Sequence, residues 1–308
     1  MLPIRQLAWC LNPAPRGKRN IVIFRFVCDE SYDSPSGNVP LPKGSPPFEP
    51  RTYVVAGFLA DEKTWERVER RWSNKNKRTK VRRFHASHLN AKTWEFEGWS
   101  DSEKIRYSKG LLAILKDQKR KLHAVSCGLL ADEYRSLINE EGRKKVGHPY
   151  LVCFKTCVTM IAKEMERFPP EDQFAVVFER NDQELEAVKL FYEIKDDPQF
   201  AYRSRLATCV PASVEEIVGL QPADFIAYET FRLLHEKRYG SPKIRYVLES
   251  MFETNGFSGY YLDAKTLKTI KAQLESATCR PNGFVIVMPS IEENARLTVE
   301  HDGQSGNL

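Results

Sequence analysis

Apolar positions along this chain recur with two periods, and their succession predicts an alternating α/β architecture. Ile21 to Cys28 is a nearly unbroken apolar run that stops at Asp29-Glu30-Ser31, the pattern of a β-strand delivering acids at its carboxyl end. Residues 34–50 are rich in Pro, Gly and Ser and predict no regular element. Thr52 to Leu59 reads as a second strand, and 61–72 carries helical periodicity with Asp61 as N-cap. A basic loop then leads into Phe84-His85-Ala86-Ser87-His88-Leu89. Ser100 to Leu115 predicts a helix opened by a capping box with Glu103, and His123 to Leu130 a third strand. Pro149 to Phe168 is a long amphipathic helix stopped by Pro169-Pro170, and Phe174 to Phe178 is wholly apolar, as strands covered on both faces are. Gln183 to Ile194 reads as a helix with Asn181 and Asp182 as capping residues and Glu184 closing a capping box. Tyr202 to Cys209 reads as a strand and Leu220 to Glu236 as a helix.

The expected fold is a mixed five-stranded sheet with the first strand in its middle, the 174–178 strand parallel beside it, and helices on both faces. That domain is expected over 21–237, after a loose leader at 1–20. Residues 238–308 form an extension, with a helix at 266–276, an edge strand at 283–288 and a disordered tail from 303. The chain has 308 residues, 42% hydrophobic and 29% charged, which suits one large globular domain with extensions. No run approaches the roughly 18 apolar residues of a membrane span, and the first twenty residues lack the apolar core of a signal peptide. Seven scattered cysteines without a CxxC pair point to a reducing, cytoplasmic setting and argue against a thiolate zinc site.

The net charge of +6 is mild, but 67–83 is densely basic, with Glu69 as its only acid. The run supplies Arg71, Lys75, Lys77, Arg78, Lys80, Arg82 and Arg83. One reading is a solvated helix end; the other is a phosphate-tracking patch with Trp65 and Trp72 as stacking surfaces.

Candidate chemistry lies in three separated acids. Asp29 ends the first strand, Glu179 ends the 174–178 strand, and Asp224 sits in the first turns of an otherwise apolar helix. Parallel neighbours bring their carboxyl ends together, which is where open α/β sheets bind ligands. Converging carboxylates repel unless a cation lies between them, and oxygen donors without thiolate select Mg²⁺ or Mn²⁺. Such ions activate water for phosphodiester hydrolysis. Glu30 and His85 are candidate assistants, His85 as proton shuttle, phosphate contact or ligand. Blander roles exist for each: a strand-to-loop turn for Asp29-Glu30, a solvent-facing strand end for Glu179, packing for His85. No GxSxG elbow and no glycine-rich phosphate loop occurs.

Asp29-Glu30-Ser31, Phe84-His85-Ala86 and Gly219-Leu220-Gln221-Pro222-Ala223-Asp224 resemble the motifs of a family found mostly in bacteria and phages. It is the domain-of-unknown-function family numbered thirty-eight hundred, of the ribonuclease H-like superfamily. The likeness runs from about Ile21 to Lys237. The family glycine after Asp-Glu-Ser is Tyr32 here, and Glu179 stands where an aspartate is common. The resemblance implies a ribonuclease H-like fold and a metal-dependent nuclease acting on RNA or DNA. A binding module without turnover, or a hydrolase of a small phosphorylated substrate, are the competing expectations.

Overall fold

A computed structural model describes residues 22–33, 51–238, 240, 244–254 and 256–276. The chain opens with β1 (Ile23–Tyr32) and β2 (Thr52–Asp61), followed by α1 (Glu62–Thr79), α2 (Ala86–Ala91) and α3 (Asp101–Lys116). Next come β3 (His123–Leu130), α4 (Ala131–Leu137), α5 (Glu140–Val146) and α6 (Pro149–Glu164). The alternating half is β4 (Gln173–Glu179), α7 (Glu184–Asp196), β5 (Leu206–Ala212) and α8 (Leu220–Arg238). It is closed by α9 (Tyr246–Thr254), β6 (Phe257–Leu262) and α10 (Ala264–Glu275).

The strands form one mixed sheet in the order β5-β4-β1-β2-β3-β6. The expected five strands become six, because β6 pairs in parallel with β3. Ser258 and Gly259 inside this short element hide it from a pattern search, since neither residue favours a strand. The edge strand anticipated at 283–288 lies outside the described residues. β1 is central, antiparallel to β2 and parallel to β4.

Alternation along β1 and β4 sorts side chains into two cores, one on each face of the sheet. Phe24, Phe26, Cys28, Phe174, Val176 and Phe178 pack with α6 and α7, whereas Val27 and Val177 pack with α1, α3 and α8. Helices therefore cover both faces, as expected. Elements placed in the expected extension join both cores: Leu248 and Met251 of α9 on the α8 side, Leu262 and Leu267 on the other. The five described cysteines, Cys28, Cys127, Cys153, Cys157 and Cys209, are free and buried, and act as small hydrophobes.

Two local expectations are corrected. The helix from Asp61 does not yield to a basic loop; it continues to Thr79, and Lys80 caps it in the left-handed region at φ 58°. Trp65, Val68, Trp72 and Asn76 make its buried face, and the polar Asn76 is what disguised the last turns. Trp65 and Trp72 are fully buried, so neither offers a surface to a ligand. At α7 the N-cap is Gln183 without a side-chain cap, and Asn181 instead accepts from the Gln183 amide at 2.8 Å. Among the described residues, no helix is long and apolar enough to cross a membrane.

Candidate functional site

The pairing of β1 with β4 places Cys28 opposite Phe178, so the next residue on each strand is a carboxylate, Asp29 or Glu179. Odd-numbered residues on both strands face α8, so these two acids project toward the helix that carries Asp224. Electrostatic coupling links all three: Asp29 is felt by Asp224 and Glu179, and Glu179 by Asp224. Glu30, one residue on, faces the α6 side, where Asn181 hydrogen-bonds its carboxyl and the Tyr150 phenol senses its charge.

Burial governs the charge state of the group. Desolvation, then the charges of Glu30, Asp224 and Glu179, hold the Asp29 carboxyl well above its ordinary range. Burial likewise pushes Asp224 to about 7 and Glu30 to about 7. Glu179 is raised by burial, against the pull of the Arg83 guanidinium. Without a cation the cluster therefore retains protons near neutrality. The Glu30 Oε2 atom is buried and lacks a hydrogen-bond partner, a cost that a cation or proton would relieve.

Asp224 is held by structure reaching across from α1. Its Oδ2 accepts the Ala86 amide at 2.7 Å and lies 3.7 Å from His85 Nδ1. One turn earlier, Gln221 Oε1 accepts from Trp72 Nε1 at 3.1 Å, Asn76 Nδ2 at 2.9 Å and the Phe84 amide at 3.3 Å. The Gln221 and Asp224 side chains thus dock residues 84–86 onto α8, and that docking carries Arg83 and His85 to the acids. Arg83 bridges Glu179 Oε1 at 3.1 Å and Glu215 Oε1 at 3.3 Å. His85 Nδ1 is 3.1 Å from Ser87 Oγ, and burial lowers the pKa of the ring, so it is neutral at pH 7.

Asp29, Glu30, Glu179, Asp224, His85 and Ser87 line a cleft of about 970 Å³ at the carboxyl edge of β1 and β4. The expected acids and His85 are brought together there. The basic run divides. Arg83 reaches an acid of the site and Arg82 sits beside Glu95, whereas Arg71 pairs with Asp117 at 2.6 Å and Lys75 lies over the Tyr107 ring. Lys77, Arg78 and Lys80 are exposed at the end of α1.

No family model matches the chain, and no curated protein or solved structure matches it. The site is thus defined by its own geometry. Sequence reading missed the rest of the cleft lining, where Arg180, Arg232, Arg238 and the His235–Asp33 pair lie. A signal existed: positions 224, 228, 231, 232, 235 and 238 share one face of α8, and projecting that helix from Asp224 would have found them. Among the described residues, no three His, Cys, Asp or Glu side chains are arranged to hold a metal ion as they stand. The donor chemistry nevertheless suits a hard cation: clustered carboxylates with raised pKa values.

Proposed function

We propose that the protein is a metal-dependent nuclease of ribonuclease H-like architecture, related to the domain-of-unknown-function family numbered thirty-eight hundred. The observation that carries this reading is the convergence of Asp29, Glu179 and Asp224 on one face of the sheet, beside a guanidinium and within an open cleft. The central β1, its parallel β4 and the acids at their shared carboxyl end support the architecture.

Asp29, Glu179 and Asp224 would hold Mg²⁺ or Mn²⁺, which supplies an activated water and charge neutralisation at the phosphate. The chain's own groups do the rest. Arg83 beside Glu179, and Arg180, Arg232 and Arg238 in the cleft lining, offer guanidinium groups for phosphate oxygens. Neutral His85, close to Asp224, accepts or relays a proton at the cleft. Glu30 lies behind the strand and tunes Asp29 through its charge.

The test is Mn²⁺-dependent cleavage of labelled RNA, DNA and hybrid by wild type and Asp224→Asn. The variant keeps an acceptor for the Ala86 amide and should lose cleavage by at least about a hundredfold; losses for Asp29, Glu179 and Asp224 variants should not add. Cleavage that survives in a folded Asp224→Asn protein makes the carboxylate structural. The Arg83–Glu179 ion pair favours a second reading, a nucleic-acid-binding module whose acids are neutralised by arginine. Calorimetric titration with Mn²⁺ separates the two: that module takes up no ion through Asp224.

A further inference from the structure

Beside the cleft, three rings form a ladder. His85 and His88 stack with centroids 4.5 Å apart at 27°, and His88 and Trp94 stack at 5.4 Å and 8°. The inner ring lies by Asp224; the outer one is at the surface, with Trp94 71% exposed. An indole so open to water contributes little to a core and gains by being covered. Its backbone is also unusual. Among the described residues, four non-glycine positions have positive φ, and Trp94, at 57°, is the only aromatic of them. A bulky residue in the left-handed region is strained, and such strain concentrates at sites of function.

The ladder is tied to the basic strip. Glu95 Oε2 accepts the backbone amides of both Arg82 and Arg83, which ties the turn bearing Trp94 to the arginines. The Arg82 side chain is 93% exposed, and Arg83 already reaches Glu179. An aromatic face beside guanidinium groups, continuous with a carboxylate cleft, matches an unpaired base followed by its phosphate. A base buried in a duplex presents no free face to an indole.

We infer that Trp94, backed by His88, is a base-stacking platform, and that the substrate entering the cleft is single-stranded nucleic acid. Arg82 and Arg83 take the phosphates that flank the stacked base. This inference names the substrate of the site proposed above and rests on that reading for its chemistry.

Fluorescence anisotropy in EDTA tests it, with a labelled oligo(dT) of about 12 nucleotides and a blunt mixed-sequence duplex as probes. Trp94→Ala should weaken oligo(dT) binding roughly 5- to 150-fold and duplex binding by less than about twofold, with Trp94→Phe recovering most of the loss. Thermal melting of both variants should match wild type, since the indole is exposed. Equal losses on both probes, no loss on oligo(dT), or a wild type that does not bind oligo(dT) would each overturn the inference. So would a dimer of wild type that Trp94→Ala dissociates in sedimentation, because the indole would then face a second copy. Cleavage is scored separately in Mn²⁺. Trp94-dependent binding by a protein that cuts nothing retains the platform and removes the nuclease reading. Asp224-dependent cutting with Trp94-independent binding does the reverse.

Discussion

At Asp224 packing and the proposed chemistry make opposite demands on a single carboxylate. Its Oδ2 anchors the Ala86 amide, yet burial makes its charge costly and raises its pKa to about 7. Glu30, also raised to about 7, behaves alike. For both, the folded chain is favoured while the acid is protonated. That contribution is complete below the ordinary carboxylate range and disappears as pH rises through about 7. The melting temperature of metal-free protein should therefore fall between about pH 5 and pH 8, and Asp224→Asn should flatten the fall. The variant should match wild type near pH 4 and melt several degrees higher by about pH 8, read by calorimetry. Mn²⁺ should restore the wild type at that pH and leave the variant unmoved. The basic side chains divide as sharply. Replacing Arg71 and Lys75 by Ala should leave nucleic-acid affinity unchanged, because they are committed to Asp117 and Tyr107. Replacing Arg82 and Arg83 should weaken binding and reduce the salt slope by about one for each phosphate no longer neutralised.

Between elements, the decisive joint is α8 against α1, made through one amide. Gln221→Ala would strand Trp72 Nε1, Asn76 Nδ2 and the Phe84 amide, all buried, at a cost of roughly 3–5 kcal/mol in urea unfolding. It should also lower the rate of the proposed cleavage, since Arg83 and His85 are carried by the segment so docked. The sequence made this joint half visible. Gln221 and Asp224 stand out as polar groups in an apolar helix, and their spacing puts both on one face. What they grip is invisible, because hydrogen bonds across more than 130 positions leave no periodic trace. Four strands of the domain were legible as largely apolar runs, and the fifth, expected from Tyr202, begins only at Leu206 because 203–205 form a 3-10 turn. β6 was not legible, since Ser258 and Gly259 owe their strand conformation to pairing with β3 rather than to propensity. The acids were found because strands end in them. The basic part of the lining went unseen because Arg232 and Arg238 read as ordinary surface charge along a helix.

For the whole molecule, the boundary expected near residue 237 is a seam in sequence and not in the core. Removing everything after Arg238 would bare the β3 edge and strip Leu248, Met251, Leu262 and Leu267 from the two cores. The truncated chain should aggregate or bind a hydrophobic dye, and should lose the cooperative unfolding transition of the full chain. Soluble yield and calorimetry check this outcome. The distance in sequence between Asp29 and Asp224 has a consequence in time. A ribosome adding about 5–20 residues per second needs roughly 10–40 s to pass from one to the other. Through that interval the first acids are made and β1 can pair with β2, but the helix that completes the cleft does not exist. A chain that cuts nucleic acid, as proposed, is thereby kept harmless while still attached to the messenger that encodes it.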